Sequence, residues 1–283
     1  MRFLITCVPL LAAVLVLLGF FGAWHPALDT LALGRPIFGA ICLLGLLMRT
    51  RWVRLVSGAA VLSTVTLGSH LMAYEPASGL RLYSKNLFFR TTNMEPIIAD
   101  IRDAGVDLVM LQELSFHNEQ ILHALRSDFP HQHRCQFSRW SGLAVLSRYP
   151  LSDGHLCSER RAISAVQVQL PDRTVWAASV HIPWPWPHDA SRAEAAARKV
   201  LAQMDGPIVV AGDFNSMPWT ARIGQIARKT KTKLAGPMRH TYTLMHTPIS
   251  IDHVLAPGGG TVERRPMLGS DHAGLVAQVE LEG

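Results

Sequence analysis

The hydrophobic pattern divides the chain into two parts of different character. From Phe3 to Trp24 no side chain is ionised, and at about 1.5 Å per residue such a run spans a hydrocarbon layer of roughly 30 Å. Leu31 to Met48 is apolar apart from Arg35 near one end, and Leu55 to Ala73 contains no Asp, Glu, Lys or Arg. A removable secretory leader would also account for the first run, because Arg2 precedes it. The run is long for a leader, and no small-x-small cleavage site follows. Residues 1–73 are therefore expected to form a membrane anchor of three transmembrane helices.

Residues 74–80 include Pro76, Ser78 and Gly79 and read as a linker. After it the pattern changes to short strand-like runs: Arg81–Phe89, Val106–Gln112, Gly142–Ser147, Ala162–Leu170, Thr174–His181, Pro207–Ala211, Ile251–Leu255 and Gly274–Leu281. Helical spacing appears between some of them. Thr92 to Glu95 fits a capping box, Ile97, Ile98 and Ile101 follow, and Gly105 would end that helix. Residues 115–128 carry Ile121, Leu122 and Leu125 at the same spacing, and the alanine-rich stretch 189–204 starts near the good caps Asp189 and Ser191. Residues 81–283 thus predict one domain, an α/β or α+β sandwich in which strands form the interior.

Charge bears on topology more than on partners. The formal net charge is +6, but residues 79–283 hold 22 basic against 19 acidic groups, a balance too even to single out nucleic acid. The connection between the second and third apolar runs contains Arg49, Arg51 and Arg54, whereas Trp24 to Thr30 has no Lys or Arg. The positive-inside rule then puts the arginines in the cytoplasm and the large domain outside it, in the periplasm or the extracellular space. Two spans instead of three would reverse that. Cys7 and Cys42 fall in apolar runs. Cys135 and Cys157 flank a strand-like run and are candidates for a disulfide in an oxidising compartment, with their Cα separation left open by sequence.

The chemistry is signalled by polar residues expected at the C-terminal ends of apolar strands: Asn86, Glu113, His181, Asp213, Asn215, Asp252 and the pair Asp271-His272. A carboxylate there is costly to desolvate unless it faces a cleft or a cation. Oxygen and amide donors without clustered Cys or His suit a hard cation, Mg²⁺, Mn²⁺ or Ca²⁺, rather than zinc. Such a set is sufficient for hydrolysis of a phosphoester.

Seven motifs occur in a fixed order: Tyr-Ser-Lys-Asn86-Leu; Leu-Gln-Glu113; Ser141-Gly-Leu-Ala-Val-Leu-Ser-Arg148; Ser-Val-His181; Gly212-Asp213-Phe-Asn215; Ile-Asp252-His-Val; and Gly-Ser-Asp271-His272. In this the chain resembles the endonuclease/exonuclease/phosphatase superfamily, which includes deoxyribonucleases, apurinic endonucleases, sphingomyelinases and inositol polyphosphate phosphatases. The resemblance implies a four-layer α/β sandwich of two packed mixed β-sheets. It implies that Glu113, with Asn86 and Asp271, holds the metal. It further implies that Asp213 orients or activates water, that Asn215 holds a phosphate oxygen, and that His272, oriented by Asp252, acts at the scissile phosphate. His181 would be a second phosphate-contacting or acid–base histidine. His240 and His253 are expected to be structural. Where many relatives have a bulkier residue and a proline after the last histidine, this chain has Ala273-Gly274-Leu275.

The expected activity is a metal-dependent phosphodiester hydrolase, first of all a nuclease acting outside the cytoplasm. Lipid-headgroup phosphodiesterase and small-molecule phosphatase are the alternatives. Trp184 and Trp186, in the proline-stiffened loop after His181, are candidate substrate contacts. The run Arg228 to Lys233 would attract phosphates or simply face solvent. Nothing in the sequence points to a protein partner.

Overall fold

The computed structural model describes residues 2–71 and 79–282, so most of the linker expected at 74–80 lies outside the described residues. The N-terminal part is helical. Helix α1 (Arg2–Leu18) continues in a 3-10 turn to Phe21, α2 (Pro26–Leu31) passes through another into α3 (Arg35–Leu46), and α4 (Arg51–Val65) ends in a 3-10 stretch to Leu71. Small residues let α1, α3 and α4 pack closely: Ala12, Ala13, Cys42 and Ala60 are buried, and a Cβ on Gly45 would sit 2.0 Å from Ser57 Oγ. The large apolar side chains point outward. Among the described residues, every exposed large hydrophobic except Phe116, Trp140, Trp186 and Met245 lies on these helices or in the short connections between them. Exposed apolar surface of this extent marks a contact with a membrane or another protein.

Two helical segments, Pro26–Leu46 and Arg51–Leu71, are long and apolar enough to cross a membrane. The apolar helix described in the first run, Thr6–Phe21, is shorter. The second segment begins earlier than the expected Leu31 because His25 caps it: its Nδ1 accepts from Ala27 N at 3.1 Å, and Pro26 occupies the first helical turn.

The remainder is a four-layer α/β sandwich. One mixed sheet has the order β13 (Gly259–Arg264), β14 (Leu275–Glu280), β1 (Leu80–Asn86), β2 (Leu108–Gln112), β4 (Ser141–Ser147), β3 (His131–Ser138). The other runs β5 (Leu151–Cys157), β6 (Ile163–Gln169), β7 (Thr174–His181), β8 (Ile208–Asp213), β12 (Asp252–Ala256), β9 (Lys233–Leu234). A small hairpin, β10 (Tyr242–Leu244) and β11 (Thr247–Ile249), stands apart from both. Alternating residues such as Leu82, Met110, Val145, Val166, Val209 and Val254 fill the space between the sheets. Helices α5 (Glu95–Ala104) and α6 (Gln120–Ala124) cover the first sheet, and α7 (Ser191–Leu201) and α8 (Ala221–Thr230) cover the second.

The sheets meet at both ends. Cys135 of β3 and Cys157 of β5 form a disulfide with Cα atoms 5.6 Å apart, joining the edge strand of one sheet to that of the other. At the opposite edges Gly236, just after β9, bridges to β13 through Gly236 N–Gly260 O (3.0 Å) and Val262 N–Gly236 O (2.8 Å).

Some local expectations are corrected. The capping box at Thr92 does not form; Asn93 Oδ1 instead accepts from Glu95 N at 3.2 Å. Of residues 115–128 only Gln120–Ala124 is regular helix. Strands β3 and β5 and helix α8 were not anticipated. The strands are partly exposed edges without a continuous apolar run, and of its large apolar side chains α8 buries Ile223 and Ile226 alone.

Candidate active site

The fold brings the expected residues to one edge of the sandwich. Parallel pairs β1–β2 and β7–β8 end together, which places Asn86, Glu113, His181 and Asp213 side by side. Asp252 and the pair Asp271-His272 reach the same edge differently from the expectation. Asp252 opens β12 and the pair precedes β14, strands that run antiparallel to β8 and β1, and Asp252 pairs in register with Asp213.

Asp213 is the hub. Its Oδ2 accepts from Asn86 Nδ2 and Asn215 Nδ2 (both 3.2 Å) and lies 3.6 Å from His181 Nε2 and 3.8 Å from His272 Nε2. Asn86 Nδ2 also reaches Glu113 Oε1 at 3.3 Å, and His181 Nε2 is 3.7 Å from the same oxygen. Asp252 Oδ2 sits 2.8 Å from His272 Nδ1. With Nδ1–H donating to Asp252, Nε2 of His272 is directed toward Asp213.

Backbone conformation holds this geometry. Glu113 (φ 56°) and Asn215 (φ 48°) are left-handed, a strain of roughly 1 kcal/mol for a residue such as Glu. Gly212 has φ 146°, and a Cβ there would lie 2.0 Å from Val180 O, so the first position of Gly-Asp-Phe-Asn admits only glycine.

A pocket of about 360 Å³ opens over the cluster, lined by Glu113, His181, Trp184, Asp213, Asp271 and His272 among others. Asn215 lines it as well. Trp186 is not among the lining residues and is 52% exposed. His253 is buried with Nε2 2.7 Å from Ser216 O, and His240 is exposed; neither faces the pocket.

The structure adds residues that sequence reasoning missed. Arg161, His188 and Tyr242 line the pocket, and the Tyr242 ring lies 4.8 Å from that of His272. Lys85 is fully buried and donates to the carbonyls of Pro266 (3.1 Å), Met267 (2.7 Å) and His272 (2.7 Å), fixing the loop that carries the last motif. A lysine inside an apolar strand, Leu-Arg-Leu-Tyr-Ser-Lys, was the available signal for it. Ser270 Oγ donates to Asn86 O (2.7 Å) and accepts from His272 N (3.0 Å), tying that loop to β1.

The electrostatics favour a cation. Burial raises the Asp213 and Asp271 carboxyls above the usual carboxylate range. Burial holds His181 well below the ordinary histidine value, with Arg161 acting in the same sense. For His272 burial pulls downward, but Asp252, Asp213 and Asp271 outweigh it and hold the imidazolium up at about 10. Asp271 Oδ1 is buried with no hydrogen-bond partner, an acceptor left for something positive. Oxygen and amide donors around crowded carboxylates fit Mg²⁺ or Mn²⁺.

Fold and site together define a phosphoester hydrolase. The sequence profile of the Endonuclease/Exonuclease/phosphatase family matches residues 84–272, and the chain belongs to that family. Solved structures share the architecture. An endonuclease/exonuclease/phosphatase family protein from Leptotrichia buccalis is 14% identical with a TM-score of 0.57, over 71% of this chain and 100% of its own. A substituted beta toxin from Staphylococcus aureus with bound magnesium ions is 13% identical, TM-score 0.55, over 72% and 100%. A 3′ phosphatase from Neisseria bound to a product DNA hairpin is 15% identical, TM-score 0.52, over 71% and 100%. No curated protein matches the chain by sequence. Likeness at these identities speaks for the fold, and the family for a hydrolase of phosphoester bonds, of a kind mostly dependent on a divalent metal.

Proposed function

We propose that the protein is a Mg²⁺- or Mn²⁺-dependent phosphodiesterase that cleaves lipid headgroups at the outer face of a membrane. Glu113, Asn86 and Asp271 are the residues to hold the cation, which when bound would neutralise charge on the phosphoryl group. Asp213 orients the attacking water and takes its proton. Asn215 holds a phosphoryl oxygen. His272, charged and held by Asp252, donates hydrogen bonds at the scissile phosphate, with His181 beside it. Trp184 borders the bound headgroup.

The carrying observation is the position of the helical segment against the pocket wall. Leu33, from the apolar segment Pro26–Leu46, packs in one cluster with Trp184, Trp219, Tyr242, Leu244 and Ile251, of which Trp184, Tyr242, Leu244 and Ile251 line the pocket. A pocket built onto a membrane helix opens at bilayer level. Exposed Trp186 and Met245 beside it suit the interface. Asp29 of α2 and His70 of the 3-10 stretch after α4 both contact the soluble domain, so Arg49, Arg51 and Arg54 lie at the far end of the helices. That supports three spans, an anchor over 1–73 and a site facing away from the cytoplasm.

The nuclease expected from sequence is the second reading. It is favoured by Arg90 and Arg139, which stack on Phe89, Phe116 and Trp140 next to Glu113 with no carboxylate within 4 Å among the described residues. Flat rings with free guanidiniums suit single-stranded nucleic acid.

The test is the full chain in nanodiscs with Mg²⁺, offered phosphatidylcholine, phosphatidylglycerol or sphingomyelin, and separately single-stranded DNA and RNA. Release of phosphorylated headgroup, lost on His272→Ala, is the expected result. Cleavage of nucleic acid with all three lipids intact would overturn it in favour of the second reading.

A further inference from the structure

Helix α8 is capped from outside its own domain. Thr220 stands at its N-cap but uses its hydroxyl on Met217 O (2.8 Å), leaving the first amides of the helix without a local acceptor. Asp29, in the segment Pro26–Leu46, supplies one. Its Oδ1 accepts from Ala221 N (2.6 Å) and its Oδ2 from Arg222 N (3.3 Å), and the residue is 4% exposed. A second hydrogen bond, Trp219 Nε1 to Ala32 O (2.7 Å), holds the same junction. A Cβ on Gly22 would lie 2.4 Å from Asp29 Oδ1, so glycine there leaves room for the carboxylate.

Arg222, whose amide Asp29 holds, reaches the other way. Its guanidinium is buried and donates through Nη1 to Pro183 O and Phe214 O (both 2.8 Å) and through Nε to Glu194 Oε1 (3.0 Å). Phe214 lies between Asp213 and left-handed Asn215, and Pro183 adjoins Trp184. One side chain therefore clamps the two loops that present the hub carboxylate, the asparagine and the pocket tryptophan. Nothing in the motifs used to recognise the family includes it.

We propose that Arg222 is a positioning residue for hydrolysis and that Asp29 of the helical anchor holds it in register. The geometry of the active-site loops then depends on the anchor being docked. This rests on the hydrolase reading of the site, and the test separates the two.

The full-length protein in detergent is assayed on bis(p-nitrophenyl) phosphate with Mg²⁺, and hydrogen exchange is followed in segments 182–184 and 213–215. Asp29→Ala is expected to lower kcat about 10-fold with KM within about twofold, and to speed exchange in both segments about 10-fold. Asp29→Asn, still an acceptor for the helix amides, restores both. Arg222→Lys lowers kcat similarly, because one ammonium cannot span both carbonyls and Glu194. Adding Asp29→Ala to Arg222→Lys lowers kcat no further. Unchanged kcat and exchange in Asp29→Ala would overturn the proposal, as would fully additive losses in the double variant. Exchange is read whether or not the wild type cleaves this ester, so an inactive wild type would count against the hydrolase reading alone.

Discussion

His272 and Asp252 meet across the seam between the two sheets. Asp252 opens β12 in one sheet and His272 precedes β14 in the other, yet Nδ1 and Oδ2 are 2.8 Å apart. The pair fixes the orientation of the ring and helps to hold it charged. Asp252→Asn would present the wrong hydrogen-bonding partner to Nδ1. We expect kcat to fall about 10³-fold with KM little changed. Steady-state kinetics on bis(p-nitrophenyl) phosphate check this, and a loss under 10-fold would remove the pair from the mechanism.

Crowding of Glu113, Asp213, Asp252 and Asp271 around one pocket edge is relieved by a cation. Mg²⁺ at 100 times its dissociation constant should stabilise the folded chain by about 2.7 kcal/mol. The gain should shrink in Glu113→Gln. Thermal melts with Mg²⁺ and with EDTA read this without any substrate, and EDTA should abolish hydrolysis.

His253 contributes a pH dependence to stability. Burial pulls its imidazole down to about 4 from 6.5, so the folded protein keeps it neutral while the unfolded chain takes up a proton. The contribution is complete above about pH 6.5 and is lost as pH falls toward 4, a difference worth about 3 kcal/mol. Denaturant midpoints at pH 7.5 and 4.5 should therefore diverge less in His253→Gln than in the wild type.

Reduction of Cys135–Cys157 opens a loop with a sequence separation of 22 residues. Loop entropy predicts a loss of about 3 kcal/mol. The double variant Cys135→Ser/Cys157→Ser should unfold at lower denaturant than the oxidised wild type and respond no further to reductant.

The site was legible because its residues sit inside short local patterns: Gly-Asp-Phe-Asn needs the glycine at φ 146° that Gly212 adopts, and Ser-Asp-His places Ser270 to bind His272 N. The strands beneath it were legible as apolar runs, Thr174–His181 to the residue. What escaped notice is held together over long distances. Arg161 comes to the pocket from a loop and Tyr242 from the short hairpin strand β10, neither with a distinctive pattern, and Lys85 finds its three carbonyls more than 180 residues away. The docking of the apolar segment was invisible for the same reason. Asp29 reads as a loop acid until α8, itself weakly patterned, is placed beside it.

The two closures at the ends of the sandwich bear on how the domain meets copies of itself. Strands β3 and β5 would each offer a row of backbone donors and acceptors to a passing chain, as would β13 and the short β9. Instead each sheet ends against the other, stapled by Cys135–Cys157 on one side and bridged through Gly236 on the other. With its edges turned inward, the domain resists strand exchange between neighbouring copies. Loss of the staple would then appear first as self-association, before any loss of catalysis.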